Sequence, residues 1–214
     1  GKFKIVYCPP FTLIDAFRKK LKNTNIGLGG QNCHHIDGYG AQTGSVSSKM
    51  LKNSGANYVI LGHSENRTSG DSDVIINKKI KISLSNNLKV IFCIGENLSI
   101  KRKKKTQMIL KKQIKNGLKG IKKTKNLFIA YEPIWSIGTG IIPKNIELEK
   151  NIKFVKNYLN KKFKFKNPKI FYGGSVNPKN IANLKKIKII DGFLVGGASQ
   201  NSKKFIDIVK KTYI

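Results

Sequence analysis

Short apolar runs alternate with amphipathic stretches along the whole chain. The runs lie at residues 4–8, 26–29, 58–62, 89–94, 127–132, 169–172 and 192–195. They read as near-continuous hydrophobic segments, the pattern of parallel strands buried on both faces. A helical stretch follows each. Residues 11–21 carry Leu13, Ile14, Phe17 and Leu21 at helical spacing, and 45–55 end on Gly55 as a helix terminator. Stretches 73–86, 106–117 and 145–161 show similar periodicity, 177–184 places Pro178 at a first helical position, and 202–212 closes the chain. Seven β–α units in unbroken alternation predict a parallel sheet wound by helices. An open doubly wound sheet is one solution. Even spacing, and chemistry gathered at strand ends, favour a (β/α) barrel with its sites on the C-terminal face. A closed barrel of this kind needs eight units, so the first is expected to be missing, before Gly1. No Pro/Gly-rich linker divides residues 1–214, which predicts a single, N-terminally incomplete barrel domain.

Composition adds bounds to this picture. A chain of 214 residues can bury one α/β core. No run of about 18 apolar residues occurs, so no membrane span is expected. No secretory signal is visible, which predicts a cytoplasmic protein. Cys8 and Cys93 sit in apolar runs and read as reduced core residues; with Cys33 they form an odd, widely spaced set rather than a disulfide framework. The formal charge of +31, from 42 Lys+Arg against 11 Asp+Glu, should attract phosphates, RNA and acidic surfaces non-specifically. The lysines are scattered over helical segments, and the run from Lys101 to Lys105 has no interleaved aromatics for base stacking. Solvated helix faces are therefore expected, not a specific nucleic-acid site. The segment Gln31-Asn32-Cys33-His34-His35 is expected to be a βα loop and not a metal site, because consecutive residues converge poorly on one ion.

The chemistry concentrates in Phe128-Ile129-Ala130-Tyr131-Glu132-Pro133-Ile134-Trp135-Ser136-Ile137-Gly138-Thr139-Gly140. An apolar run ends on the carboxylate of Glu132, and Pro133 stops the ladder. Trp135 could pack the following loop shut, and Gly138 and Gly140 let backbone N–H groups approach a ligand. Such a strand-end carboxylate under a loop fits a base working beneath a lid; a surface Glu in a βα turn is the plainer alternative. His63 also ends an apolar run, in Gly62-His63-Ser64-Glu65, and pairs with Glu132 as a second strand-end group. Tyr172-Gly173-Gly174-Ser175 and Val195-Gly196-Gly197-Ala198-Ser199 end the last two strands. Adjacent glycines there can aim N–H groups at an anion, at the usual phosphate position of a barrel.

With these motifs assembled, the chain resembles the triosephosphate isomerase family. The matching stretches are Tyr131-Glu132-Pro133-Ile134-Trp135 through Gly140, Gly62-His63-Ser64-Glu65, Cys93-Ile94-Gly95-Glu96, Tyr172-Gly173-Gly174-Ser175-Val176 and Leu194-Val195-Gly196-Gly197-Ala198-Ser199. They occur in the family's order and span nearly the whole chain. The resemblance implies a (β/α)8 TIM barrel that isomerises dihydroxyacetone phosphate and glyceraldehyde 3-phosphate in glycolysis and gluconeogenesis. Neither cofactor nor metal is expected. It implies Glu132 as general base acting through an enediol(ate), and His63 as a neutral imidazole polarising the carbonyl, its pKa lowered by a helix N-terminus. This family is itself the standard illustration of such pKa tuning. Ser64 would lie beside the resting Glu132, Glu65 would belong to the catalytic neighbourhood, and Glu96 would contact Trp135 at the lid. The N–H groups of Gly138, Gly196 and Gly197, with Ser175, would hold the phosphate. Lid closure would exclude water and favour isomerisation over phosphate loss.

Departures from the family pattern set further expectations. The family's first strand ends in Asn-x-Lys, and nothing here matches it; Lys2 and Lys4 precede what corresponds to its second strand. This chain alone is therefore expected to be catalytically feeble, with strand edges exposed, and a fuller gene product is expected. The loop Gly40-Ala41-Gln42-Thr43-Gly44-Ser45 resembles the one that reaches into a partner's site in the family's homodimer. The family's usual interface pair, Glu at Ser45 and Arg at Asn66, is lost together, leaving no orphan charge, while Thr43 is kept. At Pro143 the family offers an N–H to Tyr172 on lid closure; proline has none, so faster lid opening is expected. Two rivals on the same fold are an inactive scaffold and a basic nucleic-acid-binding protein.

Overall fold

The computed structural model describes residues 4–213. The expectation attached to Lys2 lies outside the described residues. The chain divides into two compact units, Gly1–Cys93 with Lys115–Phe128, and Ile94–Ile114 with Ile129–Ile214.

The first unit holds β1 (Val6–Tyr7), β2 (Gly27–Gly30), β3 (Tyr58–Leu61) and most of β4 (Lys89–Ile94), side by side in chain order. All pairings are parallel: Val6 faces Gly27, Gly29 faces Tyr58, and Leu61 faces Phe92. Helices α1 (Ile14–Leu21), α2 (Ser48–Asn53), α3 (Ser64–Thr68) and α4 (Asp73–Ser85) follow the first three strands. Serines cap two of them as the sequence anticipates: Ser47 Oγ accepts the N–H of Met50, and Ser72 Oγ that of Ile75. Leu28, Val59, Leu61, Ile76, Ile80, Leu88, Val90 and Phe92 are buried.

The second unit holds the end of β4, then β5 (Leu127–Tyr131) from Ile129 onward, β6 (Ile170–Tyr172) and β7 (Gly192–Phe193). Ile129 faces Ile170 and Phe171 faces Gly192, again in parallel. Its helices are α5 (Leu98–Arg102), the start of α6 (Thr106–Gly117), α7 (Asn145–Phe163), α8 (Ile181–Lys185) and α9 (Ser202–Tyr213). The long helix α7 buries Leu148, Ile152, Val155 and Leu159 at helical spacing and ends on Lys164 in the left-handed conformation.

The seven strands sit where the apolar runs place them; β2 to β6 are mostly buried, while β1 and β7 are short and half-buried. One helix start needs correction. Pro178 does not open a helix; residues 178–180 form a turn and α8 begins at Ile181. Asn177 Oδ1 accepts the N–H of both Lys179 and Asn180, and Asn180 Oδ1 accepts that of Asn177. That reciprocal exchange offers the backbone a turn in place of a first helical turn. Short 3-10 segments at Phe11–Leu13, Ile134–Ser136 and Gly197–Gln200, and the five-residue α3 and α5, carry too few residues to show a period. Residues 34 and 35 do lie in the loop after β2, with their imidazole centroids 4.4 Å apart. All three cysteines are free thiols. Burial pushes Cys8 up to about 12 and Cys33, first by burial, to about 11, so neither is a thiolate near neutrality.

Candidate active site

Every candidate site residue follows the C-terminal end of a strand. In the first unit, Gly62 turns the chain after β3 with a φ of +76°, and an added Cβ would meet Cys93 O at 3.1 Å. A side chain there would be strained and crowded at once. The turn leaves His63 at the N-cap of α3, where its Nδ1 lies 3.4 Å from the N–H of Glu65. Burial lowers the His63 pKa, and the Glu65 carboxylate, 3.7 Å from the same Nδ1, pulls it back up. Burial wins, because Glu65 is 85% exposed and its charge is screened by water. An imidazole kept neutral, with Nδ1 accepting a backbone N–H, carries its proton on Nε2. Ser64 and Glu65 form the first turn of α3 beside it.

Arg67, which the sequence pattern does not single out, braces this corner. Its Nε donates to Gly62 O at 2.7 Å, Nη1 to Asp73 at 2.8 Å and Nη2 to Cys93 O at 3.2 Å. The guanidinium fork thus ties the turn before His63 to β4. Asn66 accepts a hydrogen bond from Asn32 at 3.0 Å, so the residue standing at the family's interface arginine has a partner within its own chain.

In the second unit, Glu132 follows β5, with its N–H donated to Ile94 O at 2.8 Å. The residue is 2% exposed. Its side chain lies against the backbone of Gly173: a Cβ there would sit 2.6 Å from Cγ and 3.0 Å from Oε1. Gly95 is pressed as closely on the backbone carbonyl of Glu132. The amide of Gln113 holds Gly95 from both sides, accepting its N–H at 2.9 Å and donating to its carbonyl at 3.0 Å. The missing side chain of Gly173 thus leaves room for the carboxylate, and that of Gly95 leaves room for the Glu132 backbone.

The loop after Glu132 is anchored by Glu96, which accepts from Trp135 Nε1 at 2.9 Å, as expected. Ser136 is buried and meets Tyr172. Tyr172 Oη therefore has a hydroxyl partner on the loop, in a chain where Pro143 has no N–H to offer. Gly138 stands exposed on this loop with a φ of +71°. Ser175 lies three residues beyond β6, its N–H 3.4 Å from Ser136 Oγ. Gly196 and Gly197 are exposed beyond β7, where Gly197 opens a 3-10 turn. Among the described residues, no three His, Cys, Asp or Glu side chains cluster as a metal site would require, and no helix is long and apolar enough to cross a membrane.

A family model described as triosephosphate isomerase matches residues 1–212. A triosephosphate isomerase of Thermodesulfovibrio yellowstonii is 44% identical over 210 residues, covering 97% of this chain and 85% of that protein. One from Geotalea uraniireducens is 42% identical over 213 residues, covering 97% of this chain and 84% of its own length. The crystal structure of triosephosphate isomerase from Bartonella henselae superposes with a TM-score of 0.91 at 33% identity, covering 99% of this chain and 87% of that one. The chain's α/β architecture is thus that of a TIM barrel.

Proposed function

Because this chain belongs to the triosephosphate isomerase family, it is an isomerase interconverting dihydroxyacetone phosphate and glyceraldehyde 3-phosphate, and we propose that Glu132 and His63 carry the reaction. Glu132 takes a proton from one carbon of the triose phosphate. The electron pair moves toward the carbonyl oxygen, where the Nε2–H of a neutral His63 stabilises the developing charge. The proton of the neighbouring hydroxyl passes to the former carbonyl oxygen, with His63 Nε2 giving one proton and taking the other, and Glu132 returns its proton to the former carbonyl carbon as the new carbonyl forms beside it. The N–H groups of Gly138, Gly196 and Gly197, with Ser175, bind the phosphate, and Ser64 and Glu65 support the catalytic pair. The loop after Glu132 is read as a lid that keeps water from the enediolate.

The observation that best supports this reading is Glu132, a carboxylate 2% exposed at a strand end and seated on a glycine backbone. A buried carboxylate in such a position fits a base better than a surface residue. Replacing Glu132→Asp in the full-length protein withdraws the carboxylate by about 1 Å, and a misplacement of that size costs about 100-fold in rate. A kcat within threefold of wild type would overturn the assignment. We read the assembly as a cytoplasmic homodimer formed through the loop around Thr43. Ile36 and Tyr39, 46% and 66% exposed in the same loop region, support this as apolar contacts. Sedimentation of a Tyr39→Glu variant as a monomer is the expected outcome, and an unchanged dimer would refute it.

A further inference from the structure

We infer that the Ser136 hydroxyl is a positioning residue that fastens the loop after β5 to the turn after β6. The side chain is wholly buried. Its Oγ lies 2.5 Å from the carbonyl of Ile141, 3.0 Å from Tyr172 Oη and 3.4 Å from the N–H of Ser175. A hydroxyl has one proton to give and two lone pairs to fill. The Ile141 carbonyl can only accept, so the Ser136 proton goes there. The Tyr172 phenol then donates to Ser136, and the Ser175 N–H takes the second lone pair. The direction of all three hydrogen bonds follows, and the oxygen is saturated.

This oxygen closes the loop on itself, Ser136 to Ile141, and joins the closed loop to Tyr172 at the end of β6 and to Ser175 in the turn beyond it. Thr139 reinforces the closure, with its hydroxyl donating toward Trp135 O and Ser136 O and accepting the N–H of Ile141. Gly174 shows that the space is reserved. A Cβ at that position would fall on Tyr172 Oη and within 2.7 Å of Ser136 Oγ, so an alanine would push the partners apart.

Trp135, the single tryptophan, immediately precedes Ser136 and reports on this loop. Temperature-jump relaxation of its fluorescence in the full chain measures loop motion with no dependence on turnover. Tyr172→Phe is expected to speed the relaxation about tenfold, the effect of one buried hydrogen bond, and Ser136→Ala, which removes all three, by at least as much. The double variant is expected to match Ser136→Ala, because the contact that Tyr172→Phe deletes is already lost there. Additive effects, or a Ser136→Ala rate equal to wild type, would overturn the fastening. Should Ser136→Ala fail to fold, Tyr172→Phe keeps the ring and carries the test alone, an unchanged rate again being fatal.

Discussion

Trp135 Nε1 donates to Glu96 Oε1 at 2.9 Å, and Glu96, 1% exposed, also accepts the Tyr131 phenol at 3.3 and 3.2 Å. The loop that follows Glu132 thus hangs by its indole from a buried carboxylate on the neighbouring loop. Lys101 lies 3.3 Å from the centroid of the same indole ring and 3.4 Å from Glu147, which adds a cation to the arrangement. Burial raises the Glu96 pKa, against the opposing bonds from Trp135 and Tyr131.

That shift has a sign in stability. A carboxyl whose folded pKa lies above its unfolded value of about 4.3 binds its proton more tightly when folded. Its contribution is complete below the unfolded pKa and is lost as pH rises through the folded one. Glu96→Gln keeps an acceptor for Trp135 and removes the titration. Urea midpoints measured from pH 4 to 8 should show the variant gaining on wild type as pH rises. A pH-independent difference would show that Glu96 ionises without cost.

His63 makes the opposite case. Its pKa is lowered by burial against the pull of Glu65, so its contribution to stability is complete above the unfolded value of about 6.5 and is lost as pH falls through the folded one. The Cε1 proton of His63, followed by NMR, should titrate below pH 6.5. Glu65→Gln removes the charge that raises the pKa and should move the midpoint lower still. An upward movement would mean that the carboxylate is not felt at the ring.

Gly173 offers a steric test of the proposed base. An alanine Cβ would sit 2.6 Å from Glu132 Cγ, so the carboxylate must move by several tenths of an ångström or more. Gly173→Ala should fold and lose about 100-fold in kcat, with KM little changed, because displacement acts on the reacting geometry and not on phosphate affinity. Wild-type turnover would show that the position of Glu132 against that backbone is incidental.

The contrast between Glu132 and Ser136 shows how far the sequence could be read. Glu132 announces itself by ending an apolar run before a proline, a local signal. Ser136 is recognisable only through Tyr172, 36 residues away in sequence, and no periodicity encodes such a distance. Arg67 and Gln113 escaped notice for the same reason, since both work on backbone atoms of loops that the sequence does not reveal as neighbours. Strands β2 to β6 are legible because most of their residues are buried on both faces, whereas β1 and β7 are only half-buried and are marked by their apolar runs alone. The start of α8 is not legible, because Pro178 fits a turn as well as a first helical position and the exchange between Asn177 and Asn180 decides between them.

The deepest departure from the charge pattern is Lys79. Among so many lysines on solvated faces, its side chain is 5% exposed, packed in the first unit with Asp71. Its ammonium reaches Asp71 Oδ1 at 2.7 Å, Oδ2 at 2.6 Å and Asn32 Oδ1 at 3.1 Å, so three donors meet three acceptors. Removing one ion alone strands the other in low dielectric, which costs about 3–5 kcal/mol, whereas removing both can be nearly neutral. Lys79→Met should therefore lower the unfolding free energy by about 3 kcal/mol. Lys79→Met with Asp71→Asn should recover most of that loss, because the asparagine carries no charge to strand. Equilibrium urea unfolding of the two variants decides the point. If the double variant is as unstable as the single, the cost lies in the lost packing of the lysine stem and not in an uncompensated carboxylate.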